Sequence, residues 1–293
     1  MTMPFYVSPE QSMKDKADYA RKAIARIRSG VVIDCYDGIL FVAPNASRAL
    51  RKFSEIYDRI AFAAVGRYNE FENLRKAGVR YADMTGFAYD RADVTARGLA
   101  NWYAQVLGTF FTDSPKPYEV EIVVAEVGKI QNDDEIYRIT FDGSVADEHG
   151  FVVMGGQADQ VGSVLKERYT DGMTLSAAFA LAIAALAGPG NGSGDVAELT
   201  AAQLEVALLD RGRPHRAFRR LTGARLEGLL SEAITGGKKA DAIADGAAEQ
   251  DAGQGSAPSS EEGPASGASG ANDTNGTNEA NGANGSEGAG GAE

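Results

Sequence analysis

Ser8-Pro9-Glu10-Gln11 opens, and Asp37-Gly38-Ile39-Leu40-Phe41-Val42-Ala43 closes, the stretch on which the fold turns. Ser8 is placed to cap a helix, Pro9 suits its first position, and Gln11 can reach back as the reciprocal cap. Met13, Ala17, Ala20, Ile24 and Ile27 recur at the spacing of one helix face. Acids come early (Glu10, Asp15, Asp18) and bases late (Arg21, Lys22, Arg26, Arg28), matching the helix dipole, and Gly30 supplies the stop. Val31-Val32-Ile33-Asp34-Cys35-Tyr36 then reads as a strand, Asp37-Gly38 as a two-residue turn, and Ile39 to Ala43 as the return strand. The expectation is a helix over 9–29 directly ahead of a buried hairpin, so that the hairpin does not begin the mature chain.

Working outward, Pro44-Asn45-Ala46-Ser47 breaks the strand and leads into a basic loop with Arg48, Arg51 and Lys52. Ile60 to Val65 is a continuous apolar run ended by Gly66, the pattern of a strand covered on both faces. Asn69 with Glu72 reads as a capping pair for a helix carrying Phe71, Leu74, Gly78, Tyr81 and Thr85. A second helix begins near Asp93, with Leu99, Trp102, Tyr103, Val106, Leu107 and Phe110 inward. Strands are expected at 118–127, 135–141 and 151–154, helices at 158–169 and 175–187, a strand near 203–210, then a short strand and a helix to about Leu230. Helix pairs separated by blocks of strands predict two antiparallel sheets packed together with helices on both outer faces, an α+β fold.

Composition limits the functions available. From Gly236 to Glu293 there is no aromatic residue, and ten acids against two lysines place about −8 of the chain's −12 there. Such a segment cannot bury enough apolar surface to offset its ordering entropy and is expected to be a disordered tail at 236–293. The domain proper is then 1–235, near −4, and the chain's overall acidity carries no information about a ligand. No stretch has the apolar length of a membrane span, and Met-Thr-Met-Pro-Phe-Tyr-Val shows no signal-peptide pattern. A single cysteine, Cys35, fits a reducing cytoplasm and a buried apolar role. With only His149 and His215, a zinc site has little material, and neither a metal nor a cofactor is expected.

Several motifs carry less than they promise. There is no Gly-x-Ser-x-Gly elbow, and Gly188-Pro189-Gly190-Asn191-Gly192-Ser193-Gly194 lacks the Lys-Ser/Thr of a phosphate loop. Gly155-Gly156 reads as close packing at a turn. Asp133-Asp134 reads as a solvated loop pair. The cluster Arg211, Arg213, Arg216, Arg219, Arg220 and Arg225 lacks interleaved aromatics beyond Phe218, so subunit salt bridges or the acidic tail are better partners than nucleic acid.

With these residues laid out, the chain resembles proteasome α subunits of the bacterial, actinobacterial-type branch. The matching phrases include Ser8-Pro9-Glu10-Gln11, Tyr19-Ala20-Arg21-Lys22, Asp37 to Ala43, Glu55-Ile56-Tyr57-Asp58-Arg59, Lys116-Pro117-Tyr118-Glu119-Val120 and Arg216-Ala217-Phe218-Arg219-Arg220. The likeness runs from about Pro4 to Leu230 and excludes the tail. It implies a four-layer αββα sandwich of the N-terminal-nucleophile-hydrolase type over 30–232, a gate segment 1–8 and an outer helix 9–29. It also implies a seven-membered ring of this chain stacked on proteolytic β subunits, gating access to their chamber and docking a ring-shaped AAA ATPase in the degradation of tagged, pupylated-type proteins. By the resemblance, Lys52, Gly66 and Arg26 receive the ATPase C-terminus. Phe5, Tyr6, Val7, Ser8 and Pro9 form the gate, with Phe5-Tyr6-Val7 standing where archaeal and eukaryotic relatives carry Tyr-Asp-Arg. Lys116, Pro117 and Tyr118 belong to an axial pore loop. No catalytic residue is implied, because no Gly-Thr processing junction precedes the first strand and Pro44-Asn45 replaces the supporting aspartate. A catalytic β-type threonine hydrolase and an unrelated interaction module are the competing readings.

Overall fold

The hairpin forms one residue out of the expected phase. In the computed structural model, which describes residues 8–47, 49–188 and 199–235, β1 (Gly30–Cys35) pairs antiparallel with β2 (Gly38–Pro44). Cys35 lies opposite Gly38, so the loop is Tyr36-Asp37. Gly38 is the residue with the special backbone, at φ 136°, and a Cβ there would stand 1.9 Å from the carbonyl oxygen of Leu209. Only glycine tolerates that conformation and that approach.

The remaining strands build two five-stranded antiparallel sheets. β3 (Phe53–Tyr57), β4 (Ile60–Gly66), β5 (Val120–Glu126), β6 (Glu135–Ile139) and β7 (Val145–Asp147) form one sheet in sequence order. The other runs β10 (Phe218–Leu221), β9 (Leu204–Asp210), β2, β1, β8 (Phe151–Met154). Alternate residues of β1 go to different cores, as the strand period requires. Val31 and Ile33 pack with Phe179 and Ile183 beneath α4 (Ala158–Arg168) and α5 (Leu175–Leu186), while Val32 joins Phe41, Phe53 and Val123 between the sheets. α2 (Tyr68–Ala88) and α3 (Ala96–Asp113) cover the second sheet through Phe62, Leu99, Tyr103 and Leu107. The result is the expected four-layer αββα sandwich. After β10 the chain is helical from 224 to 235.

Several local expectations are corrected. α1 spans Pro9–Ile24 and not 9–29. Its exit is claimed by the turn after β8: Gly156 donates to the Ile27 carbonyl at 3.0 Å, and a Cβ on Gly156 would lie 1.9 Å from the Ala25 carbonyl oxygen. That close packing bends residues 25–29 out of the helix and into β1. Gln11 does not close a reciprocal cap; it donates to Asp15 at 2.7 Å, while Ser8 alone caps, accepting from the Gln11 backbone at 3.2 Å. Asn69 and Glu72 are not a capping pair, because α2 already starts at Tyr68 and Glu72 is held by Arg75 at 2.7 and 2.8 Å. α3 begins at Ala96 under a Thr95 cap, a separate 3₁₀ turn filling Arg91–Asp93. β3 and β7 were not expected. β3 is short and only intermittently buried, and all three residues of β7 are exposed, so neither carries an apolar signal.

The gate residues Phe5, Tyr6 and Val7, together with Arg48, Pro189 to Gly194 and the tail from Gly236, lie outside the described residues. Among the described residues no helix is long and apolar enough to cross a membrane.

Candidate docking site at the start of the first strand

The structure brings the turn after α1, the start of β3 and the end of β4 to one end of the sandwich. Lys52 does not lead directly into the strand that ends at Gly66. It precedes β3, which returns as β4, and its carbonyl accepts from Ala64 at 3.0 Å, two residues short of Gly66. The Lys52 ammonium donates to the Arg28 carbonyl at 3.0 Å, its one hydrogen-bond acceptor among the described residues. Arg26 is exposed two residues earlier in the same turn. Gly66 has φ 131°, and a Cβ there would meet the Glu119 carbonyl oxygen at 2.2 Å. Its glycine is thus required first by this chain's own backbone, whatever else approaches.

Beneath Lys52 lies a group the sequence reading missed. Glu205 of β9 is 2% exposed and accepts from Asn45 Nδ2 (2.7 Å), Arg220 (2.8 Å), the Lys52 amide (2.9 Å) and the Phe53 amide (3.2 Å). Its signal was visible: one carboxylate inside Leu204-Glu205-Val206-Ala207-Leu208-Leu209, where a strand buried on both faces tolerates no unpaired charge. Lys52 is half-buried, and burial brings its ammonium down to about 8; the Glu205 charge opposes this fall and Arg28 adds to it. A partly desolvated cation with spare donors, at a surface, is suited to an arriving anion.

Ser29, immediately ahead of β1, is fully buried, and its hydroxyl accepts from the Gln157 amide at 3.2 Å. Its nitrogen is in peptide linkage behind α1, so β1 presents no terminal amine here. The Lys116-Pro117-Tyr118 segment sits on the flank of α1. Lys116 pairs with both Glu70 and Glu119 at 2.8 Å, Pro117 is buried, and Tyr118 stacks on Phe110 with centroids 4.1 Å apart. Lys16 fastens α1 to the end of α3 through the Phe111 and Thr112 carbonyls.

The opposite end of β1 holds a second polar cluster. Asp134 is not solvated; its side chain is 2% exposed and takes a two-pronged contact from Arg211 at 2.6 and 2.8 Å. Asp34 stands beside it, accepting from Gln131 at 3.1 Å through one oxygen, while the other has no hydrogen-bond partner. Burial, and then the Asp134 carboxylate, raise Asp34 to about 7. Cys35 is fully buried, with its thiol pushed up to about 12 by desolvation. The arginine cluster is largely spent inside the chain: Arg216 on Glu55 (3.0 Å), Arg219 on Asp210 (3.0 Å) and Arg220 on Glu205. Among the described residues no group of three His, Cys, Asp or Glu is placed to hold a metal ion.

Two antiparallel sheets between helix pairs, with a helix and a peptide bond ahead of the strand that would carry a terminal nucleophile, define an N-terminal-nucleophile sandwich in its blocked form. A family model described as proteasome subunit matches residues 28–199. The chain is 66% identical over 232 residues to the proteasome subunit alpha of Thermomonospora curvata, covering 79% of this chain and 99% of the relative. It is 63% identical over 233 residues to that of Thermobifida fusca, 80% and 92% covered, and 59% identical over 236 residues to that of a Parafrankia strain, 79% and 98% covered. The chain belongs to the proteasome-subunit family, in its non-catalytic α branch.

Proposed function

We propose that the chain forms the outer, seven-membered rings of a proteasome core particle, gates access to the proteolytic β chamber and docks the C-termini of a ring-shaped AAA ATPase in the cytoplasm. The observation that carries the docking part is Lys52: a half-buried ammonium, lowered to about 8, with a single carbonyl acceptor, at the open end of the sandwich. A chain terminus brings a carboxylate that answers this desolvated charge. Gly66 and Arg26 flank it from β4 and from the turn after α1. Phe5, Tyr6 and Val7, with Ser8 and Pro9, supply the gate, and Lys116, Pro117 and Tyr118 an axial pore loop.

The test compares parent and Lys52→Ala particles assembled with β subunits. Truncating one partner of a desolvated pair costs about 2–5 kcal/mol, and even the lower figure is more than about tenfold in affinity. Binding of the ATPase's C-terminal peptide and ATPase-stimulated protein degradation should both fall, while basal hydrolysis of short peptides persists. Unchanged peptide binding and stimulation would refute the docking role. Deleting residues 2–7 should speed short-peptide hydrolysis by intact particles; an unchanged rate would refute the gate.

A further inference from the structure

Lys52 is the last residue before β3, yet the group that fixes its backbone belongs to the other sheet. Glu205 of β9, 2% exposed, reaches across with both oxygens. Its Oε2 accepts from the Lys52 amide at 2.9 Å and from Asn45 Nδ2 at 2.7 Å. Its Oε1 accepts from the Phe53 amide at 3.2 Å and from Arg220 Nη1 at 2.8 Å. Arg220 also donates Nη2 to the Phe53 carbonyl at 2.6 Å, so the first residue of β3 is held from both of its backbone groups. The loop ahead of Lys52 hangs from the same carboxylate. Asn45 Nδ2 also donates to the Leu50 carbonyl at 2.8 Å, and the Leu50 amide donates to Ser47 Oγ at 3.0 Å.

The same carboxylate acts on the Lys52 side chain through space. Charge reaches the ammonium from Glu205 on β9 and from Arg28 in the turn after α1, with Arg220 of β10 bonded to the carboxylate. Burial and the Arg28 charge favour the neutral amine, and Glu205 favours the ammonium. A glutamine at 205 would keep one acceptor oxygen for the amides. Its nitrogen would be a donor set against the donors of Asn45 or Arg220, and the negative charge would be gone. Only a carboxylate takes all four donors and also supports the charge on Lys52.

We infer that Glu205 is the positioning residue of the docking site, setting the place of Lys52 through the β3 amides and keeping its side chain charged for an arriving carboxylate. A cation carried on a backbone that is already tied down loses less freedom when its partner binds. This role rests on the docking reading proposed above and adds the buried group on which that site depends.

The experiment uses the full chain assembled with β subunits, and as probe the C-terminal peptide of the ring-shaped ATPase with its amidated form as the blank. Affinity is measured by calorimetry from pH 6 to pH 9, with thermal melting of each variant as the folding control. Parent binding should weaken as pH rises through about 8. Glu205→Gln should move that midpoint about one pH unit lower, which by itself weakens binding about threefold at pH 7.5. Glu205→Asp, which keeps the charge, should return the midpoint to the parent's value. Asn45→Ala cuts the loop from Glu205 but leaves the charge, and should weaken binding about twofold or more at every pH with the midpoint unmoved. A purely structural glutamate would lower the melting temperature and leave the midpoint in place, so an unmoved midpoint in Glu205→Gln would overturn the inference. Should Glu205→Gln melt below the assay temperature, the other two variants decide: parent affinity in Asn45→Ala, or a lowered midpoint in Glu205→Asp, would overturn it. Parent affinity in Lys52→Ala would instead overturn the docking reading itself.

Discussion

Replacing Asp34 by asparagine should make the protein more stable at neutral pH and leave it unchanged below about pH 3.8. Asp34 is 9% exposed, and one guanidinium, Arg211, serves both it and Asp134: Asp134 at 2.6 Å, Asp34 only at 3.8 Å. The unpartnered Asp34 oxygen is explained if it carries a proton shared with Asp134. Burial is the largest cause of the rise to about 7, followed by the hydrogen bond and charge of Asp134, with Gln131 and Arg211 pulling the other way. In the unfolded chain the same group ionises near 3.8. Between those values the folded state holds a proton that the unfolded state has lost. Stability from this group is therefore fully present below about 3.8 and falls as pH rises towards 7.

Three pH units correspond to about 4 kcal/mol at 1.36 kcal/mol each. The adjoining cavity admits solvent, which screens the charge, so about 2 kcal/mol is the working figure. An asparagine amide cannot ionise and can donate to Asp134 as the protonated acid does. Urea denaturation of parent and Asp34→Asn chains should diverge from pH 5 to pH 8 in favour of the variant, and the Asp34 carboxyl carbon should titrate near 7 by NMR. Parallel stability profiles, or a carboxyl already ionised at pH 5, would refute the shared proton.

Affinity for a C-terminal peptide should weaken as pH rises through about 8, where free Lys52 loses its proton, and Lys52→Ala should abolish that dependence; calorimetry across pH 7–9 measures it. Glu205→Gln takes the carboxylate from Arg220, whose side chain is 30% exposed and so partly solvated, and should cost about 1–3 kcal/mol, read by denaturant titration. Gly78→Ala should destabilise by about 1–3 kcal/mol, because a Cβ there would lie 1.9 Å from the Tyr103 hydroxyl, which donates to Leu74; adding Tyr103→Phe should recover part of the lost melting temperature.

What the sequence made legible follows the strength of its periodic signals. β1, β2, β4 and β5 are buried on both faces, so their apolar runs were unmistakable, and α5 announced itself through the Thr174 cap and an almost wholly apolar composition. The edge strands β3 and β7 carry no such run, since an edge meets solvent. The end of α1 was misjudged because the 3–4 spacing reaches Ile27, which is partly buried as expected, but in a turn imposed by Gly156, 129 residues further along the chain. Lys52 was legible only through the family likeness; nothing local marks it among the surrounding bases. Asp134 and Glu205 were harder still, as their partners Arg211 and Arg220 are remote in sequence, and an acid in a loop looks solvated until a distant arginine covers it.

One geometric change links the missing terminal amine to the surroundings of the Lys52 ammonium. A terminal-nucleophile hydrolase needs a free amine at the first residue of its strand. In this chain the polypeptide continues backwards from Gly30 through Ser29 and Arg28 into α1. The nearby cation, Lys52, consequently meets a peptide carbonyl, a weak partner for an ammonium that burial has brought down to about 8. Glu205 cannot relieve it fully, because its oxygens are already committed to Asn45, Arg220 and two backbone amides. Placing α1 in front of β1 thus leaves no terminal amine there and gives the Lys52 ammonium one peptide carbonyl as its acceptor among the described residues, the opening that the proposed carboxylate would fill.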